Sequence, residues 1–154
     1  MADHLLPTIL LVEDEESDAK LLCRGFEKIN ILNRVIHLRS GDEALGYLAG
    51  VGPHSDRAQF PLPALILLDL KLPGLTGLQL LQWMRTQPAI RRIPVVVLTT
   101  DEDPDTVSAA YDLGANSYLI KSADPARILR MVKAIQNYWL ELNEAPQLMM
   151  GAAG

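Results

Sequence analysis

Five residues with side chains that can bind a cation or a phosphoryl group lie at the ends of four apolar segments or directly after them. They are Glu13, Asp14, Asp69, Thr99 and Lys121. Carboxylates that are crowded together repel each other, so such a group takes up a proton or binds a cation. Mg²⁺ prefers oxygen ligands, commonly a few carboxylates together with phosphate oxygens. An ammonium and a hydroxyl group beside them would neutralise a phosphoryl group during transfer. If the fold brings these residues together, they predict metal-assisted phosphoryl chemistry.

Three continuous apolar runs predict strands that are buried on both faces, as in a parallel sheet. These runs cover residues 8–12, 64–68 and 93–98. The segments 34–38 and 117–121 are shorter or more mixed in character, which suits the two edges of a sheet. The sequence therefore predicts three central strands and two edge strands.

Helical patterns fill the intervals between the predicted strands. They cover approximately residues 18–30, 41–49, 76–86, 103–114 and 124–142. Strict alternation of strand and helix implies a parallel sheet that is covered on both sides, because the crossovers are right-handed. The sequence predicts a three-layer α/β fold in which five helices flank a five-stranded parallel sheet of order 2-1-3-4-5. This is the flavodoxin-like arrangement.

The carboxyl ends of parallel strands meet at one edge of the sheet, which is where open α/β folds bind ligands. All five candidate residues fall at such ends. Each also has a simpler interpretation: Asp69 or the Glu13-Asp14 pair could cap a helix, and Lys121 could be a solvated charge. The turn-forming sequence after Asp69 delays the next helix to about Thr76, which weakens the interpretation of Asp69 as a cap. The joint placement favours a functional site.

This ordered set of motifs resembles the response-regulator receiver domain of two-component signalling over roughly residues 7–140. In LILLDLKLPG, Asp69 matches the aspartate that accepts the phosphoryl group. In LLVEDEESDA, Glu13 and Asp14 match the acidic pair that holds Mg²⁺. The resemblance implies that Asp69 and the backbone carbonyl of Lys71 complete the protein ligands of the metal.

The same resemblance implies roles for three further side chains. Thr99 matches the switch hydroxyl, Lys121 the lysine that pairs with the phosphoryl group, and Tyr118 the aromatic residue whose rotamer reports the phosphorylation state. The family usually has proline after the lysine, often with a cis bond, whereas this chain has Ser122. A cis bond to a non-proline residue costs about 2.5 to 4 kcal/mol, so we expect the Lys121–Ser122 bond to be trans.

The resemblance implies a phosphoacceptor signalling protein rather than an enzyme, with Mg²⁺ as cofactor and a sensor histidine kinase as partner. The long loop from Gly50 to Pro63 is similar to that of stand-alone regulators paired with bacterial phytochromes. Those relatives often form homodimers through the face made by helix 4, strand 5 and helix 5. We therefore expect a phytochrome-type kinase as the phosphodonor, and output by protein contact or dimerisation.

Composition limits the other partners. The net charge is -5 and no run of basic residues exceeds two, which argues against direct binding of nucleic acid. No apolar stretch approaches the roughly 18 to 20 residues that a membrane-spanning helix needs. The single cysteine, Cys23, excludes an intramolecular disulfide and fits a reduced, cytoplasmic protein. We expect an N-terminal extension at residues 1–6, a receiver domain at 7–142 and a flexible tail at 143–154.

Three other functions fit parts of this pattern. A flavodoxin-like cofactor binder would need a phosphate-binding loop after strand 1, where the acidic EDEESD would repel a cofactor phosphate. A metal-dependent phosphatase would need a second acid just after Asp69, where Leu70 and Lys71 stand instead. A receiver that serves only as a docking module would not need the complete set of acids, threonine and lysine.

Overall fold

A computed structural model describes residues 6–148, which form one five-stranded parallel sheet with helices on both faces. The strands are β1 (Ile9–Val12), β2 (Val35–Leu38), β3 (Leu65–Leu68), β4 (Val95–Thr99) and β5 (Ser117–Ile120). Their order is β2-β1-β3-β4-β5, which confirms the predicted order. Every residue of β1, β3 and β4 is buried, whereas β2 and β5 are mostly half-buried. The three continuous apolar runs are therefore the central strands, as predicted.

Five α-helices alternate with the strands in the described part of the chain. They are α1 (Glu16–Lys28), α2 (Gly41–Ala49), α3 (Gly77–Thr86), α4 (Pro104–Asp112) and α5 (Pro125–Ile135). The first helix begins two residues earlier than predicted, because the acids Glu16 and Asp18 are favourable in a first turn, where the helix dipole is positive. Within residues 6–148 no helix combines the length and the apolar character needed to cross a membrane.

Two apolar layers enclose the sheet. On one face, Tyr47 of α2, Met84 of α3 and Ala110 of α4 pack with inward residues of the central strands. On the other face, Phe26 of α1 and Val132 of α5 do the same. Burial of these aliphatic side chains on both faces stabilises the strands whose carboxyl ends carry the candidate residues.

The long loop between α2 and β3 is ordered by Arg57. This loop contains a short 3-10 turn at Gly52–His54. The Arg57 guanidinium donates hydrogen bonds to the carbonyl oxygens of Tyr47 and Leu48, both at 2.8 Å. These carbonyls lie in the last turn of α2, where the Tyr47 carbonyl also accepts from the Gly50 amide. The loop therefore closes the C-terminal end of α2 before the chain enters β3.

The segment after α5 differs from the expected simple helix and loose tail. The chain continues from α5 as a π-helix at Gln136–Leu142, which keeps Trp139 partly buried against the core beside α1 and α5. After the π-helix, the partly buried side chain of Leu148 packs against the apolar layer on the other face of the sheet, the layer that contains Tyr47 and Met84. The rest of the predicted tail, 149–154, and residues 1–5 of the predicted extension lie outside the described residues.

Candidate functional site

The backbone pairing of the strands continues for one residue into the candidate site. The amide of Asp69 donates to the carbonyl of Val12 at 3.0 Å, and the amide of Glu13 donates to that of Leu38 at 2.9 Å. The amide of Lys121 donates to the carbonyl of Thr99 at 2.8 Å. These bonds fix the first residue after β1, β3 and β5. The side chains of Glu13, Asp69 and Lys121 therefore meet at the same edge of the sheet.

Lys121 is the centre of the polar network at this edge. Its ammonium donates to Asp69 Oδ2 at 2.8 Å, to Asp18 Oδ2 at 3.0 Å and to Glu13 Oε1. The Lys121 side chain is 13% exposed, while those of Glu13 and Asp69 are 3% and 6% exposed. The network is therefore largely withdrawn from water, which strengthens its electrostatic interactions.

Three carboxylates form a group that could hold a divalent cation. One oxygen atom from each of Glu13, Asp14 and Asp69 lies within 4.8 Å of the others. The second carboxylate oxygen of Glu13, Oε2, is buried and has no hydrogen-bond partner among the described residues. A buried acceptor without a partner is costly, and a cation would satisfy it. The donor set consists only of oxygen, which suits hard cations such as Mg²⁺ or Mn²⁺.

The two buried carboxylates have opposite pKa shifts. Burial, reinforced by the contact with Asp69, raises the pKa of Glu13 to about 9 in spite of Lys121. Burial also acts to raise the pKa of Asp69, but hydrogen bonds with Glu13 and Lys121 outweigh it and lower that pKa below its ordinary value. The opposite directions of these pKa shifts favour a proton on Glu13 rather than on Asp69 in the metal-free protein.

The loop from β3 to α3 holds Asp69 in place. The amide of Lys71 donates to Asp69 Oδ1 at 3.3 Å, and the amide of Gly77 donates to the Leu70 carbonyl at 3.0 Å. A Cβ atom on Gly77 would lie only 2.3 Å from the Asp69 carbonyl oxygen, so the helix can approach only with glycine here. Thr76 caps α3 together with Gln79, so Asp69 is not the cap of this helix. The Lys71 carbonyl remains a predicted ligand.

Thr99 and Tyr118 both contact Asp101, in the loop after β4. The Thr99 side chain is buried, and its hydroxyl oxygen accepts a hydrogen bond from the Asp101 amide at 3.4 Å. The Tyr118 hydroxyl donates to the Asp101 carbonyl at 2.7 Å. The loop from β4 to α4 is thus bound from two sides beside the acidic group.

The chain after Lys121 follows the expectation for a non-proline residue. The described residues contain no cis peptide bond, so the Lys121–Ser122 bond is trans, as predicted. The Ser122 hydroxyl oxygen accepts from the Asp124 amide at 3.0 Å, and the Asp124 carboxylate in turn caps α5. Serine therefore shapes the turn into α5 by hydrogen bonding.

Sequence reasoning missed Asp18, the third carboxylate on Lys121. Asp18 lies in the first turn of α1 and not at the end of a strand. A signal was present in the sequence, since Asp18 ends the acidic segment EDEESD that follows the first apolar run. The same helix start was instead interpreted as a possible capping region.

Comparisons with known proteins identify the family to which this fold belongs. Residues 9–133 match the response regulator receiver domain family. The chain is 39% identical to response regulator Rcp1 of Synechocystis sp. over 148 residues, which cover 95% of this chain and 99% of Rcp1. The crystal structure of the Mn²⁺-bound form of Rcp1 matches with a TM-score of 0.82, covering 92% of this chain and 99% of that chain.

A second solved structure is the phosphorylated cyanobacterial phytochrome response regulator RcpA. It matches with a TM-score of 0.85 and 35% identity, again covering 92% of this chain and 99% of that chain. The range that matches the family, residues 9–133, includes all five strands and the five predicted site residues. The chain therefore belongs to the response regulator receiver domain family, whose members are signalling proteins of two-component systems and not enzymes.

Proposed function

We propose that this protein accepts a phosphoryl group on Asp69 from a sensor histidine kinase and passes the signal on by protein contact. The observation that carries the proposal is the Lys121 ammonium, which lies 2.8 Å from Asp69 Oδ2 beside the three-carboxylate group. A nucleophile, a phosphate-pairing cation and a cation site thus meet at one buried edge. Phosphoryl transfer depends mainly on such positioning and charge stabilisation.

Asp69 is suited to act as the nucleophile. Its lowered pKa keeps the carboxylate ionised, and its burial limits competition from water. An Asp69 oxygen attacks the phosphorus of a phosphohistidine whose other ring nitrogen is protonated, the phosphorus–nitrogen bond breaks, and the ring takes the bonding electron pair and leaves as neutral imidazole. Lys121 then pairs with the phosphoryl oxygens, and its positive charge offsets the negative charge that they bring into the site.

Mg²⁺ is the proposed cofactor. Glu13, Asp14, Asp69 and the backbone carbonyl of Lys71 would hold it, with Asp14 as a direct ligand and Glu13 acting through water. When bound, the ion neutralises carboxylate and phosphoryl oxygens and so lowers the electrostatic barrier to transfer. Glu13 would give up its proton on binding, because the cation replaces that proton as the partner of its buried carboxylate.

The contacts of Asp101 support a switching role for Thr99 and Tyr118. A phosphoryl group on Asp69 offers new acceptors to the Thr99 hydroxyl, which now accepts from the Asp101 amide. If Thr99 turns to the phosphoryl group, the loop is drawn inward and the Tyr118 hydroxyl loses its place on the Asp101 carbonyl. Tyr118 then turns in, and the face made by α4, β5 and α5 is remodelled.

The proposed partners rest on two kinds of support, namely the relatives of this chain and the exposed aromatic residues of its surface. RcpA is described as a cyanobacterial phytochrome response regulator, so we propose a phytochrome-type histidine kinase as the phosphodonor. A homodimer through the face of α4, β5 and α5 is proposed as one form of output. Tyr111 and Tyr138 are 47% and 53% exposed, whereas Leu129 packs partly against the core and contributes less. Direct binding of nucleic acid or membrane is not part of the proposal.

The receiver domain would span residues 7–142, which includes the matched range 9–133, and the protein would act in the cytoplasm. The alternative function is a docking receiver that works without phosphorylation. A flavodoxin-like cofactor binder is less consistent with the site, because Glu13 and Asp14 occupy the edge where a cofactor phosphate would lie.

The test locates the phosphoryl group chemically. The protein is incubated with acetyl phosphate and Mg²⁺ and then reduced with borohydride, which converts an aspartyl phosphate into homoserine. Peptide mass spectrometry should find homoserine at position 69 and at no other aspartate. Homoserine at a different position, or unmodified Asp69 in a sample that has gained phosphate, would reject Asp69 as the acceptor.

A further inference from the structure

The Lys121 ammonium has no free donor in this structure. An ammonium group offers three donors and no acceptor. All three are used, by Asp69 Oδ2 at 2.8 Å, Asp18 Oδ2 at 3.0 Å and Glu13 Oε1. Any new acceptor beside Asp69 can therefore bind Lys121 only if one of these three hydrogen bonds is released.

Phosphorylation of Asp69 creates this demand, and the present inference rests on that proposed function. Formation of the acyl phosphate removes the charge of the Asp69 carboxylate and adds a dianionic phosphoryl group beside it. Lys121 is the cation already in contact with Asp69. The donor that now binds Asp69 can pass to the phosphoryl group, but a second bond from Lys121 to the phosphoryl oxygens requires the release of Glu13 or Asp18.

The bond to Asp18 costs less to release than the bond to Glu13. The Asp18 side chain is 39% exposed, whereas that of Glu13 is 3% exposed. Water can replace the ammonium as the partner of Asp18. Little water can reach the Glu13 side chain, so Glu13 would lose the ammonium without water to replace it.

The space beside Asp18 fits such an exchange. Asp18, Glu13 and Lys121 line a cavity between α1 and α5 of about 30 Å³. A cavity of roughly 10 to 15 Å³ or more can hold a water molecule if it has polar partners. The carboxylate released from Lys121 therefore has room for a water molecule on the side that it vacates.

We propose that Asp18 is a positioning residue, which binds one donor of Lys121 in the unphosphorylated state and releases it to the phosphoryl group on Asp69. Asp18 thereby competes with the phosphoryl group for the same ammonium. Its carboxylate lowers the affinity of the resting site for a phosphoryl group and sets how readily the phosphorylated state forms. Replacement of this carboxylate should favour the phosphorylated form without a change at any strand end.

The test measures the affinity of the full chain for beryllofluoride, a phosphoryl mimic, by calorimetry in saturating Mg²⁺. Asp18→Asn should bind the mimic about two- to fivefold more tightly than the wild type, the effect of one partly exposed ion pair. Glu15→Gln is the matched control for charge, because Glu15 is exposed, directly precedes α1 and makes no side-chain capping bond. Asp18→Glu restores a carboxylate and should bind as the wild type does.

The outcomes separate this inference from the proposed function. Tighter binding by Asp18→Asn alone supports the competition, since structural damage would weaken binding rather than strengthen it. Equal gains for Asp18→Asn and Glu15→Gln, no gain for Asp18→Asn, or an Asp18→Glu variant that binds as tightly as Asp18→Asn would overturn it. A wild type that neither binds the mimic nor gains phosphate would instead reject the proposed function.

Discussion

The Tyr118 hydroxyl donates a hydrogen bond of 2.7 Å to the backbone carbonyl of Asp101, so β5 holds the loop that follows β4. Thr99 accepts from the amide of the same Asp101 at 3.4 Å. The two residues that the proposed mechanism moves are therefore already connected through one residue. A change at either end of this connection is transmitted through the backbone of Asp101.

Tyr118→Phe removes the hydroxyl and leaves the ring. We expect the free energy of unfolding of the unphosphorylated protein to fall by about 0.5 to 1.5 kcal/mol, the net value of one hydrogen bond. Urea denaturation measures this change. Tyr111→Phe is the control, because Tyr111 is 47% exposed, and it should change stability by less than about 0.5 kcal/mol. Equal effects of both variants would show that the Asp101 contact does not hold the loop.

Glu13 should make the stability of the metal-free protein depend on pH. Its pKa is about 9 when folded, against an ordinary value of 4.5, so between these values the folded state binds a proton that the unfolded state has lost. The free energy of unfolding should therefore fall as pH rises from about 5 to 9. The shifts of Asp69 and Lys121 act outside this window, below 3.8 and above 10.5 respectively.

Urea denaturation at pH 5 and pH 8 in the presence of a chelator tests this dependence. Glu13→Gln should flatten the pH dependence, whereas Glu15→Gln should leave it as in the wild type. Saturating Mg²⁺ should also reduce it, because the cation would displace the proton. A Glu13→Gln variant with the same slope as the wild type would mean that the proton lies elsewhere.

Gly77→Ala tests the close approach of α3 to the proposed phosphoacceptor. The new Cβ atom would lie 2.3 Å from the Asp69 carbonyl oxygen, so the backbone of Asp69 or the helix must shift. We expect a loss of about 1 to 3 kcal/mol in unfolding free energy and slower phosphorylation. Gly46→Ala is the matched control in α2, where a Cβ atom meets nothing within 4 Å and alanine favours the helix. Equal stability of the two variants would contradict the packing.

Arg85 connects the end of α3 to the turn before β5. Its guanidinium donates to the carbonyl oxygens of Gly114 at 2.7 Å and Ile93 at 2.9 Å, among other acceptors. Arg85→Met would leave these partly buried acceptors unpaired, and we expect a loss of about 2 to 4 kcal/mol in urea denaturation. The exposed Arg130 is the control, and Arg130→Met should change stability by less than about 0.5 kcal/mol. A small effect of Arg85→Met would mean that water replaces the guanidinium.

The strands and the main site could be predicted because they depend on local patterns and on topology. Apolar runs such as IPVVVL identify central strands, and parallel strands bring the residues after them to one edge. Glu13, Asp69 and Lys121 meet there because each directly follows a strand of the same parallel sheet. The order itself followed from which runs were continuous and which were mixed.

The contacts between layers could not be predicted in the same way. Asp18 reaches Lys121 because of how α1 packs beside α5, and no strand pattern specifies that packing. Arg57 and Arg85 appear in the sequence as ordinary basic residues, yet their guanidinium groups bind backbone carbonyls of distant turns. Leu148 lies in a segment of Pro, Gly, Ala and Met whose composition suggested a loose tail, although its side chain packs against the core. Such contacts depend on the three-dimensional arrangement of several elements.

The most direct test of the account is the intact mass of the protein after incubation with acetyl phosphate, with and without Mg²⁺, beside Asp69→Asn. The account predicts a gain of one phosphoryl group in the wild type that requires Mg²⁺, is labile to base and is absent from the variant. Asp69→Asn should remain folded, so that its failure to gain mass reports the missing carboxylate. A gain of the same size in Asp69→Asn, or one that is independent of Mg²⁺, would contradict the account.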